Sequence, residues 1–300
     1  MEKETVRALI DVNNGFYQKH AESFSDTRLA PWPGWEKCLA VFAAGGLEAG
    51  GIGGGLGGSL GGGPGAGGFA GGRLSVFDLA CGNLRFAAFL AAALPEAELT
   101  VYAVDNCPEL VASARDTAAL KNVRVRFQSL DVLDALLDDG AGDAGGADGL
   151  AGADGLAGAG LGGRFLAPPC DIAVAFGFLH HIPTQKLRQA LLSSLLGQVR
   201  SGGWAVVSLW QFLTEPGLRQ KAEAVQERAL VELGLPELEE GDFLLGWQDV
   251  PGAWRYCHSF SEAEIDGLAD SVAGQGRLLA RFAADGRNGA LNSYLVWQRI

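Results

Sequence analysis

Apolar positions along this chain switch between a helical spacing and short continuous runs. From Val6 to Phe24 the apolar residues Val6, Leu9, Ile10, Phe16, Tyr17 and Ala21 fall at roughly helical intervals, interrupted by Asn13-Asn14-Gly15, which predicts a broken helix. A polar turn with two prolines among aromatics, Phe24 to Trp35, leads into a second helix over about 34–44. Beyond it, strands at 74–79, 99–105, 123–129, 171–176 and 203–210 alternate with helices at 84–93, 108–120 and 184–197. Strands this continuously apolar, separated by helices, predict an α/β fold with a mainly parallel sheet covered on both faces. A charged helix near 216–234 follows, then one at 261–273 entered by Ser261 with Glu264 as a capping box. Strands at 277–283 and 291–298 close the chain as an antiparallel hairpin and bring the sheet to seven strands.

Glycine usage sets the domain organisation. Of 45 glycines, 17 fall in residues 45–72 and 11 in residues 138–163, where they alternate with alanine and leucine and leave little to pack. The second stretch contains the tandem repeat Ala147 to Gly152 and Ala153 to Gly158. Both read as flexible insertions. Without them about 250 of the 300 residues remain, the size of one α/β domain spanning 1–300 with an N-terminal helical cap over 1–44.

The net charge of −12 argues against a protein that holds nucleic acid by its overall field, and no DNA partner is expected. Five of the acids (Asp138, Asp139, Asp143, Asp148, Asp154) sit in the second insertion, so the remainder is nearer −7 and has room for a local basic patch. Five scattered cysteines with no Cys-x-x-Cys pair indicate neither a disulfide framework nor a zinc site. The charged start and the absence of a run of ~20 apolar residues predict a cytoplasmic protein with no membrane partner.

Candidate chemistry gathers where strands end. The run Leu74 to Phe77 closes on Asp78-Leu79-Ala80-Cys81-Gly82-Asn83, and the next strand closes on Asp105-Asn106. A strand, a tight turn, a helix and a second strand ending in an acid form half of a nucleotide-type crevice, in which the acid, about 20 residues after the glycine, accepts from ribose hydroxyls. A dinucleotide pyrophosphate wants three glycines in that turn, and only Gly82 is present. A turn opened by an acid with one glycine suits S-adenosylmethionine, whose methionine end needs an acceptor for its ammonium and a donor for its carboxylate. Asp131-Val132, ending the third strand, offers an acceptor for the adenine amino group beside an apolar contact. Each acid also has a plain structural role open to it: Asp105 as cap of the helix near Pro108, Asp131 as a turn residue.

The strand 171–176 stops at Gly177 and delivers Phe176, Phe178, His180 and His181 to the top of the sheet. Adjacent histidines point different ways, so a polar wall for cofactor or substrate fits them better than a metal site, which prefers an i, i+4 pair. Arg28, beside Pro31-Trp32-Pro33, has the forked donors that suit a carboxylate, or it bridges to Asp26 on a solvated turn. Arg255-Tyr256-Cys257-His258 lines a pocket or forms a short exposed strand.

In combination these residues resemble a known family. The Asp78 turn, Asp105, Asp131, Phe178-Leu-His-His-Ile182 and Arg200-Ser-Gly-Gly-Trp204 look like a class I S-adenosylmethionine-dependent methyltransferase, which implies a Rossmann-like fold. Outside that core, Phe24-Ser-Asp-Thr-Arg28 with Pro31-Trp-Pro33, Ser208-Leu-Trp-Gln211, Arg255-Tyr-Cys-His258 and Asn292-Ser-Tyr-Leu-Val296 are similar to tRNA methyltransferases that esterify a carboxymethyl group on wobble uridine. The resemblance implies that Arg28, Arg255, Tyr256 and His258 face substrate or the methionine end of the cofactor, and that a small zinc-ribbon activator protein is a possible partner. Family turns usually read Gly-Cys-Gly-Asn-Gly; here Ala80 and Leu84 occupy two of the glycine positions, and Cys257 replaces a common aromatic. Leu84 is expected to take a helical φ and to fill space near the methionine tail, the turn merging straight into the helix.

Three functions follow. The first is methyl transfer to a carboxylate oxygen, of tRNA or of a small acid, with Arg28 and Arg255 holding the acceptor and His180 or His181 orienting it; a carboxylate is already a nucleophile, so alignment and exclusion of water suffice. The second is a small-molecule O- or N-methyltransferase, which the acidic surface favours. The third is a cofactor-binding or interaction protein without turnover.

Overall fold

The computed structural model describes residues 1–45, 72–112, 114, 120–138, 161 and 163–300. The two glycine-rich stretches lie almost wholly outside the described residues, as does most of the expected helix beyond residue 112. Nine strands are described: β1 (Arg73–Leu79), β2 (Glu98–Asp105), β3 (Val123–Ser129), β4 (Cys170–Ala175), β5 (Val199–Trp210), β6 (Asp242–Trp247), β7 (Val250–His258), β8 (Gly276–Ala284) and β9 (Asn292–Arg299). Seven form one sheet in the order β3-β2-β1-β4-β5-β9-β8, and β6 pairs with β7 alone. Neighbours from β3 to β5 run parallel, while β9 runs antiparallel to both β5 and β8. Strand order reverses between β1 and β4, and at such a switch point the crevice opens at the carboxyl ends of the strands. This is the Rossmann-like, mainly parallel seven-stranded sheet with a closing antiparallel hairpin that the sequence motifs imply.

Strand alternation buries both faces. Phe77, Leu79, Ala173, Ala175, Val207, Leu209, Leu295 and Trp297 face one way, into a core shared with α5 (Val132–Asp138), α6 (Gln185–Gly197) and α8 (Glu262–Ser271). Val76, Ile172, Val174, Val206, Tyr294 and Val296 face the other way, toward α2 (Pro33–Ala44) and α3 (Arg85–Ala93), where Trp35, Phe42, Phe86 and Leu90 complete the layer. The Ser261/Glu264 capping box is present at the start of α8. All five cysteines are free and buried.

Three expectations change. First, α1 (Lys3–Asp26) runs straight through Asn13-Asn14-Gly15, and its one departure from helical geometry is at His20 (φ −122°, ψ 16°). The two asparagines do not compete with their own backbone because tertiary partners hold them. Asn13 Oδ1 accepts from the Tyr256 amide at 2.9 Å and its Nδ2 donates to the Tyr256 carbonyl at 3.2 Å, while Asn14 donates to Asp131 at 2.7 Å and accepts from Asn106 at 2.7 Å. Second, α5 begins where only a turn was expected, capped by Asp131, whose Oδ1 accepts from the amides of Leu133 (3.0 Å) and Asp134 (3.1 Å). Third, β6 and β7 form a hairpin whose turn residues Gln248 (φ 46°) and Asp249 (φ 57°) are both left-handed. That geometry is usually announced by Asn-Gly, and a Gln-Asp pair gives no such signal.

Candidate active site

Asp78, at the end of β1, lies against the turn residues Ala80 (φ 55°), Gly82 (φ 51°) and Leu84 (φ 57°), all three in the left-handed region. The alternation explains why glycine suits all three positions: a side chain there crowds its own carbonyl by roughly 1–2 kcal/mol. Leu84 thus corrects the expectation of a helical φ. It is the left-handed residue before α3, and its side chain packs with Trp35, Phe86 and Leu90 in the core instead of lining the cavity. The turn is closed by the Cys81 amide on the Val104 carbonyl (3.1 Å) and the Leu84 amide on the Cys81 carbonyl (3.0 Å).

This turn forms one wall of a cavity of about 520 Å³ at the switch point. Every residue expected to hold the cofactor borders it: Asp78, Ala80, Cys81, Gly82, Asn83, Asp105, Asn106, Asp131, Val132, Phe176 and His181. Asp105 accepts from the Gly82 amide through Oδ2 and from the Cys107 amide through Oδ1, each at 2.9 Å, which leaves a lone pair on each oxygen for a ligand hydroxyl. The capping and ribose readings of this acid are therefore compatible. Burial, and then the charge of Asp105, push the Asp78 carboxyl up to about 8. Its Oδ2 is buried with no partner among the described residues. An orphaned, desolvated carboxyl oxygen in a cavity suits an α-ammonium group, whose charge would favour the ionised form, so the residues present fit S-adenosylmethionine.

Another part of the cavity wall is cationic, and it reaches the turn where Asn83 Nδ2 donates to the Arg28 carbonyl at 3.3 Å. Arg28 follows the end of α1 and Arg255 sits on β7, and both guanidiniums lie over the Trp247 ring, at 5.7 and 5.1 Å. Phe24 also faces Arg28 (4.3 Å) and Phe16 faces Arg255 (5.2 Å). Among the described residues neither forms an ion pair with a carboxylate, and Arg255 Nε is buried without a partner. His181 Nδ1 donates to the Tyr256 carbonyl at 2.9 Å, so its Nε2 is the acceptor for the Tyr17 hydroxyl at 2.7 Å. Burial, then Arg255, bring His181 down to about 3, whereas burial raises Tyr17 to about 12. His180 borders the cavity beside Trp210, is also held well below its ordinary value by burial and by His181, and keeps Nδ1 unpartnered. The wall is thus two fixed cations and two neutral imidazoles.

Not every expected residue reaches the cavity. Alternation along β7 sends Arg255 and Cys257 one way and Tyr256 and His258 the other. The Tyr256 hydroxyl donates to Asp242 at 2.6 Å, and His258 bonds Asp242 through Nδ1 (2.6 Å) and Glu264 through Nε2 (2.9 Å). Both belong to a buried polar cluster with Arg188 behind the wall. They correct the expectation that all four residues of the Arg28/Arg255 set face substrate. His180, His181 and Cys257 bring one ligand-type atom each within 4.8 Å of one another. Both His181 nitrogens are already bonded, and the Arg28 and Arg255 charges that depress the imidazoles equally oppose a cation there. Tyr17 and Arg85 also border the cavity, as does Trp210 of the Ser208–Gln211 segment, and Trp247 lies under Arg28 and Arg255. Tyr17 carries no sequence signal beyond helical spacing, and Trp247 ends β6, whose hairpin turn has no glycine to announce it.

Residues 76–146 match the family model described as "Methyltransferase domain". That match covers 71 of the 300 residues, and with the sheet order and the switch-point cavity it makes the chain similar to S-adenosylmethionine-dependent methyltransferases of class I. Similar solved structures include a SAM-dependent methyltransferase from Methanosarcina mazei, at 15% identity over 76% of this chain and 93% of that one, with a TM-score of 0.46. The N-methyltransferase NodS from Bradyrhizobium japonicum, in complex with S-adenosyl-L-homocysteine, matches at 11% identity over 76% and 79%, TM-score 0.40. An O-methyltransferase family 2 protein from Planctomyces limnophilus in complex with apigenin matches at 14% identity, TM-score 0.42; 77% of this chain spans about half (52%) of that one. No curated protein matches the chain. No described helix is long and apolar enough to cross a membrane.

Proposed function

We propose that the enzyme transfers the methyl group of S-adenosylmethionine to a carboxylate oxygen of an anionic acceptor. The observation that carries this is the cationic wall of the cavity: two arginines without carboxylate partners among the described residues, beside two histidines kept neutral by burial and by neighbouring positive groups. An alcohol or protonated amine would need a base to take its proton in the transition state, and imidazoles this depressed are weak bases. A carboxylate needs none. Bound at the Asp78 turn, the cofactor supplies an electrophilic methyl carbon. Asp78 would take its ammonium, Asp105 its ribose hydroxyls, and Val132 would pack on its adenine ring, whereas both oxygens of Asp131 are already filled by the amides of Leu133 and Asp134 and by Asn14 and Asn106. Arg28 and Arg255 hold the acceptor carboxylate, His180 Nδ1 orients it, and the aromatic bases under the arginines exclude water, which strengthens these charged contacts.

The resemblance carried by the Arg28 and Arg255 segments favours a carboxymethyl group on wobble uridine of tRNA, with a zinc-ribbon activator. The net charge of −12 favours a free small acid. One experiment separates the two: incubation with methyl-labelled cofactor and either total tRNA or a panel of small carboxylic acids, followed by mild alkali. Label released as methanol from the tRNA fraction supports the first acceptor, and release from a small acid supports the second. Transfer that survives alkali sinks the carboxylate reading.

A further inference from the structure

Arg28 and Arg255 stand over one ring, Trp247, and like charges this close repel each other. Burial, then the charge of Arg255, hold Arg28 below its ordinary value. No carboxylate among the described residues pairs with either, so something other than a counter-charge keeps them in place. A ring face attracts a cation without fixing the direction of its donors. Two hydroxyls supply that direction. Arg28 Nη1 donates to Thr27 Oγ1 at 2.6 Å, and that hydroxyl spends its own proton on the Phe24 carbonyl at 2.8 Å. The arrangement recurs at Arg255 with Tyr17. The Tyr17 ring packs edge-on against Phe16 (5.1 Å) and Phe24 (5.0 Å), the two rings on which Arg255 and Arg28 stand. Its hydroxyl spends its proton on His181 Nε2 at 2.7 Å, because Nδ1 is committed as donor to the Tyr256 carbonyl. The lone pairs left on Tyr17 Oη are within bonding reach of Arg255, whose charge and hydrogen bond both oppose the rise that burial causes in Tyr17.

A hydroxyl whose proton is already spent is an acceptor only, and it brings no charge. A carboxylate in its place would hold the guanidinium more firmly and cancel the charge that an anionic ligand needs. We propose that Thr27 and Tyr17 are positioning residues that aim Arg28 and Arg255 at the acceptor carboxylate while leaving both charges unspent. Each acts through its arginine and takes no part in bond making. These roles rest on the carboxylate reading of the cavity.

The test uses acetate as the probe of the arginine wall, on the full chain saturated with S-adenosylhomocysteine, with sodium chloride at equal ionic strength as the reference. Titrations follow the Nε–H resonances of isotope-labelled arginine by NMR, and the Arg28 and Arg255 signals are assigned by their loss in Arg28→Gln and Arg255→Gln. Calorimetry on the same proteins gives the S-adenosylhomocysteine affinity. The loss of a hydrogen bond to a charged group predicts acetate binding roughly 5–20-fold weaker in Tyr17→Phe, and about 3–10-fold weaker in Thr27→Val, where the bond is exposed. Thr27→Ser restores the hydroxyl and should recover the native acetate affinity to within about twofold. Tyr17→Phe should move the Arg255 resonance, and Thr27→Val the Arg28 resonance, before any acetate is added. S-adenosylhomocysteine affinity is expected to stay within about threefold in all three variants, which also shows that each is folded. Native-like acetate binding in Tyr17→Phe or in Thr27→Val overturns the proposal for that residue. A Thr27→Ser variant as weak as Thr27→Val overturns it too, as does a loss of S-adenosylhomocysteine in step with acetate, which places the hydroxyls in the fold alone. A native protein that binds acetate no better than the Arg28→Gln/Arg255→Gln double variant overturns the carboxylate reading itself.

Discussion

Asp78 shows how a binding site is kept at the expense of stability. In the native state its carboxyl titrates at about 8 because of burial and the adjacent Asp105, whereas an unfolded aspartate titrates near 3.9. Between those values the folded protein holds a proton that the unfolded chain has released, so this group's contribution is full below about pH 4 and is lost as pH rises through about 8. Asp78→Asn removes that dependence. Urea melts should show the variant more stable than the native protein by at least about 1 kcal/mol at pH 8, with a smaller gap at pH 5. Calorimetry should show the same variant at least about tenfold weaker for S-adenosylhomocysteine, since a neutral amide does not pair with an ammonium. The other strained residues of the turn separate by packing. Ala80→Gly relieves a left-handed alanine and removes little contact, and is expected to gain about 1 kcal/mol. Leu84→Gly relieves the same strain but strips a side chain only 5% exposed from the core, so the lost burial wins and the variant should lose about 2 kcal/mol in denaturant melts.

Among the secondary elements, the β6–β7 hairpin decides the arginine wall of the cavity, the proposed acceptor side. It supplies Arg255 and Trp247 directly, and it holds His181 through the Tyr256 carbonyl. Its outer residues are anchored by Asp242, which accepts from Tyr256, His258 and Arg188. Truncation by Asp242→Ala would strand those donors in a dry site, with an expected loss of about 3 kcal/mol in thermal or urea unfolding. The same cluster has an acid limit. Burial alone would raise Glu264, but its bonds to His258 and Ser261 bring it down to about 2. Its folded value lies below the unfolded one, so its stabilisation is present above about pH 4.5 and is lost as pH falls toward 2. Only the Arg255–His258 end of the hairpin is legible in the chain, because the Gln248-Asp249 turn lacks the glycine that usually announces a two-residue turn and Asp242 lies outside any recognisable pattern. The strands from β1 to β5, by contrast, announced themselves through continuous apolar runs.

Across the chain, the cavity is closed by one junction where α1 meets β7 and the turn after β4. Asn13 makes it, bonding both backbone groups of Tyr256 and, at 3.4 Å, the carbonyl of His181. Asn13→Ala leaves those buried groups unpaired, at a cost of about 2 kcal/mol, and frees the wall that carries Arg255. Its acceptor KM should rise well beyond any change in S-adenosylhomocysteine affinity, and equal losses in both would place the junction's role in stability alone. Residue order by itself was enough for the mainly parallel sheet with its closing antiparallel hairpin and for the position of the acid-opened turn after β1, because strand periodicity and turn composition are local properties of neighbouring residues. It could not tell Arg255, inside the cavity, from Tyr256 and His258, behind it. That depends on the register of one strand against a helix some 240 residues earlier in the chain.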